Sequence, residues 1–138
     1  MTPLSVVAGL LEEAPASEPP RAQAAALLEA GETVLEHWLT AKGVIPTGAA
    51  KEGFRLLALH RQGAKGDPSF NACRESCREL VYHYNVIMAA EDDSAAIAYV
   101  KMMRFILNHL YLFVTGKMEV EGLGEFCCSS RSLRAQSV

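Results

Sequence analysis

Six apolar residues, Ala96, Val100, Met103, Leu107, Leu110 and Val114, recur in alternating steps of three and four. A chain completing a turn every 3.6 residues puts such a set on one face, whereas a strand needs a period of two. Two further stripes follow the same rule: Ala24, Leu27, Leu28, Gly31, Val34, Leu35 and Trp38, then Cys73, Cys77, Leu80, Tyr84 and Ile87, the second widened by Val81 and Met88. No run of convincing length alternates with period two, and there is no internal repeat or low-complexity segment. The expected fold class is all-α, a compact bundle of four main helices with a short N-terminal helix before Ala14 and an irregular C-terminal tail. With half of its 138 residues apolar, the chain can build a core without a metal or a disulfide framework. The expected organisation is one helical domain over 1–138, with an N-terminal segment 1–16, a bundle 17–116 and a tail 117–138.

Capping residues set the expected boundaries. Ser17, followed by Glu18, Pro19 and Pro20, opens a helix ending near Gly43, and Thr47 opens a shorter one stopped by Gly63. Asp67-Pro68 starts a long helix to about Ala90, Asp92 and Ser94 cap the next, and Gly116 is its expected stop.

Thirteen Lys and Arg against sixteen Asp and Glu leave a net charge of -3, which gives no general footprint for nucleic acid. Arg55, Arg61, Lys65, Arg74 and Arg78 gather in mid-sequence, but Glu52, Asp67, Glu75 and Glu79 are interleaved with them, as on a solvated face. Leu4 to Leu11 is apolar, yet no base precedes it and Glu12 and Glu13 follow, so a secretion signal is not expected. Lys101, Arg104, Asn108 and His109 break the Ala95–Val114 window into apolar runs far shorter than the ~20 residues of a membrane span. A soluble, cytoplasmic protein is the expectation.

Cys73 and Cys77 stand one helical turn apart and share a face. With Cys127 and Cys128 brought back by the tail, they would offer four soft thiolates to zinc, an iron-sulfur cluster or Cu(I). The blander reading, buried thiols acting as small hydrophobes with no cofactor, is favoured by their place in an apolar stripe. A redox use of the same thiols is hindered because a disulfide between helical i and i+4 positions is strained. The four histidines are scattered, and no Glu-x-x-His motif of the di-iron bundles occurs. His60, near Gly63 at a helix end, is similar to the phosphorylatable histidine of histidine phosphotransfer domains, whose pattern is His-x-x-Lys-Gly. Gly63 stands where that lysine belongs, and the similarity covers only a handful of residues. No glycine-flanked nucleophile and no phosphate loop is present.

The Ala95–Val114 segment is apolar beyond one stripe, because Tyr99, Met102, Phe105 and Phe113 lie outside it. A helix that is apolar over so much of its circumference is either central or covered by a partner. The expected function is a non-enzymatic interaction module, regulatory, adaptor or accessory, that associates with itself or a protein partner through Tyr99, Met102, Phe105 and Phe113. The alternative is a metal-binding or redox sensor built on the cysteines.

Overall fold

The computed structural model describes residues 2–12 and 18–123. They form an all-α structure: α1 (Leu4–Glu12), α2 (Pro20–Ala41), α3 (Arg55–Gly66), a 3-10 turn (Pro68–Cys73), α4 (Arg74–Ala89) and α5 (Asp93–Val120). Among the described residues there is no strand, only an isolated bridge between Lys51 and Phe54.

The core is made by the expected stripes. Leu27, Val34, Leu35 and Trp38 of α2, Cys77, Leu80 and Ile87 of α4, and Val100, Met103, Leu107, Leu110 and Val114 of α5 are buried together. Helix α5 packs chiefly on α2 and α4, and α3 closes the side between α2 and α4. Val7 attaches α1 to this core, while His37 Nε2 meets the Thr2 carbonyl at 2.6 Å. Arg21, in the first turn of α2, donates to the carbonyls of Met88 (3.3 Å) and Ala90 (2.7 Å), placing a cation where the end of α4 leaves oxygens unpaired.

Several boundaries differ from the sequence expectation, for local reasons. Ser17 lies outside the described residues, and Pro19 and Pro20 open α2. Gly43 does end it: its φ of 77° lets Val44 N–H reach back to the Leu39 carbonyl at 2.9 Å. Thr47 does not start a helix. Gln62 Oε1 accepts from Thr47 N–H (2.8 Å), Arg55 Nε donates to the Thr47 carbonyl (2.9 Å), and Glu52-Gly53 forms a tight left-handed turn, so α3 begins only at Arg55.

Gly63 is not a stop either. It lies inside α3, and Phe70 packs on it so closely that a Cβ there would sit 2.9 Å from two ring atoms. Asp67 caps as expected, accepting from Ser69 N–H at 3.1 Å, but the first turns are 3-10 and α4 proper starts at Arg74. Asp92 caps α5 through Ala95 N–H at 2.9 Å. That helix runs through Gly116 to Val120 and is ended by Gly122, whose φ of 70° permits a bond from Leu123 N–H to the Met118 carbonyl at 2.8 Å.

Candidate functional site

Helix α5 presents two apolar faces. The inner face is the core stripe, from Val100 to Val114, no residue of it more than 3% exposed. A second series in steps of three and four, Ala95, Ala98, Met102, Phe105, His109 and Leu112, is exposed throughout. At 100° per residue the two series lie on nearly opposite sides of the helix. Met102 is 48% exposed, Phe105 58% and Leu112 58%, large values for apolar side chains all on one line. The rings of Phe105 and His109 lie 4.6 Å apart, so the middle of this stripe is an aromatic platform.

Of the four residues expected at an interaction surface, Met102 and Phe105 fall on this stripe. Tyr99 is exposed at its shoulder, where it and Tyr82 of α4 contact the His83 ring at 5.9 Å and 5.3 Å. Phe113 is placed otherwise. One residue beyond Leu112 it is rotated 100° toward the protein, half-buried with its ring 6.1 Å from Phe70. Leu112 takes its place on the outer line. The three-four spacing from Ala95 to Leu112 was the available sequence signal, overshadowed by the more apolar inner stripe.

The thiols are the second candidate. The turn after Asp67 and the start of α4 bring Cys73 and Cys77 together, 2% and 0% exposed and both free. Cys73 Sγ donates to the Phe70 carbonyl at 3.2 Å, and buried His60 Nε2 meets the same oxygen at 3.2 Å. Around them Phe70 stacks on Trp38 at 5.0 Å and on His60 at 5.7 Å. A hydrogen bond from Cys77 draws the Cys73 thiol down to about 6, with His60 assisting and burial opposing. The same bond and burial push Cys77 well up. The arrangement thus favours ionisation of one thiol over both.

As a metal site the pair is incomplete: among the described residues no group of three His, Cys, Asp or Glu can hold an ion. Cys127 and Cys128 lie outside the described residues. His60, which sequence spacing did not connect to the thiols, joins them only through the 3-10 turn.

By length and composition α5 is also the one described helix able to cross a membrane, although its inner face is occupied by this chain's own core. Comparison with protein-family models, with curated proteins and with solved structures finds no match to this chain.

Proposed function

We propose that this protein is a non-enzymatic helical interaction module, in which α2, α3, α4 and α5 form a four-helix bundle and the outer face of α5 is its docking surface. The carrying observation is the exposed line Met102-Phe105-His109-Leu112, set opposite a complete core. A line of three large apolar side chains and a histidine ring left open on a long, well-anchored helix marks an association surface. The occupant we assign is a second copy of the chain. In an antiparallel pairing about Leu107, Met102 faces the partner copy's Leu112, Phe105 its His109, and Ala98 its Gly116. Large residues then meet in the middle and small ones let the helix ends approach, as a two-fold interface requires.

Phe105→Glu with Leu112→Glu tests this, because both side chains are exposed and the fold does not need them. In sedimentation equilibrium the wild type is expected near twice its chain mass of 15.0 kDa, and the double variant at 15.0 kDa with an unchanged melting temperature. A wild type that stays at 15.0 kDa up to hundreds of micromolar contradicts the proposal.

A second reading is favoured by one observation, the two free, buried thiols Cys73 and Cys77, with Cys73 and His60 both turned to the Phe70 carbonyl at 3.2 Å. In it the pair is a thiol sensor, completed as a metal site by Cys127 and Cys128. Stoichiometric zinc, iron or copper in anaerobically purified protein, lost in a Cys73→Ser, Cys77→Ser variant, would support it. Metal-free protein in both would oppose the metal form.

A further inference from the structure

An open cleft of about 760 Å³ lies between the 47–51 segment and α3 and reaches the start of α4. Its lining contains Lys51, Arg61, Lys65 and Arg74 and no carboxylate. In a chain of net charge -3 this is a local reversal of sign. The neighbouring bases are already committed: Arg55 pairs with Glu36 at 2.8 Å and Glu32 at 3.5 Å, and Arg78 with Glu52 at 3.2 Å. None of the four cleft bases has an ion-pair partner among the described residues. Glu52, the acid closest in sequence to Lys51, is turned to Arg78, which holds both its oxygens at 3.2 and 3.3 Å; Lys51 and Arg74 act on it only as weaker, more distant charges.

We infer that this cleft binds a small polyphosphate-bearing molecule. Four bases around one concavity exceed what a single phosphate can engage, and arginines suit the paired oxygens of adjacent phosphates. The wall opposite α3 is set in advance: Gln62 bridges from α3, accepting from Thr47 N–H and donating to the Ile45 carbonyl, both at 2.8 Å. A fixed wall lowers the ordering cost of binding. The volume falls in the range of small-molecule sites. No Phe, Tyr or Trp lines the cleft, and the His60 ring in its lining is buried and stacked on Phe70, so it lacks the open stacking platforms that single-stranded nucleic acid uses, and recognition rests on the phosphates.

Isothermal titration of the full chain with sodium tripolyphosphate is the test. One saturable site per chain is expected at low salt, weakened about tenfold or more by Arg61→Ala and again by Arg74→Ala, since each removes a charge-assisted hydrogen bond. Lys101→Ala, which deletes an exposed base on α5, is expected to leave the affinity unchanged. ATP is expected to bind within a few-fold of tripolyphosphate. Absence of a saturable site, or equal weakening by Lys101→Ala, overturns the inference. So does a single-stranded oligonucleotide that binds more tightly than tripolyphosphate through the same arginines. Arg61 and Arg74 are exposed, and unchanged melting of both variants separates lost binding from lost fold.

Discussion

The two faces of α5 obey the same three-four rule and meet opposite fates. On the inner face Met103, Leu107 and Leu110 are wholly buried against α2 and α4; on the outer face Met102, Phe105 and Leu112 stay about half exposed. Periodicity therefore identifies a face able to pack but not what packs on it. The inner stripe holds the fold, and the outer stripe is the face we propose for association.

Truncation separates the two faces most strongly. Leu107→Ala, at full burial, is expected to cost about 3 kcal/mol in denaturant unfolding, whereas Phe105→Ala measured at dilution, where the chain is monomeric, should cost no more than about 0.5 kcal/mol. Equal losses would mean that the outer face is part of the core. Next in size is Gly63→Ala. Phe70 is fixed between Trp38 and His60, so its ring has little room to retreat from the new methyl group, and a loss of about 2 kcal/mol in the same assay is expected.

Cys77→Ser puts a hydroxyl in a fully buried site and should cost about 1 to 2 kcal/mol while leaving self-association at matched folded concentration unchanged. A loss of dimer in the still-folded variant would tie the thiols to the outer face. The smallest effect concerns Glu32. Burial raises its carboxyl above the ordinary 4.5, against the attraction of Arg55. Its contribution is full below pH 4.5 and falls as pH rises through the raised value. Glu32→Gln should therefore be slightly more stable at neutral pH, by less than about 1 kcal/mol in denaturant unfolding, with the advantage gone below pH 4.5. Arg55 keeps Glu36 as its partner in that variant.

Much of this architecture was legible in the residues. The stripes, the Asp67 and Asp92 caps and the Gly43 stop follow from spacing and capping chemistry alone. Gly63 and Gly116 misled because a glycine ends a helix only where the backbone turns left-handed, and sequence does not distinguish that from a glycine kept for the close approach of Phe70. The 47–54 segment misled because its conformation depends on distant partners, Gln62 and Arg55. The inward direction of Cys73 and Cys77 was legible from their stripe. Their junction with His60 was not, since it depends on the 3-10 turn that carries Phe70 across α3. The basic cleft was hidden because, in sequence, its bases are mixed with acids, of which the fold turns Glu52 to Arg78 and Asp67 to Lys117.

The most direct test of docking through the outer face is isotope-filtered NMR on a mixture of chains, one set labelled at Met102 methyl and the other unlabelled. Within one chain Met102 and Leu112 are about 15 Å apart along the helix, too far for a nuclear Overhauser contact. Cross-peaks between labelled Met102 and unlabelled Leu112 are expected from the antiparallel pairing. A sample that is dimeric by mass yet shows no such cross-peaks, or shows Met102 freely solvated, would contradict it.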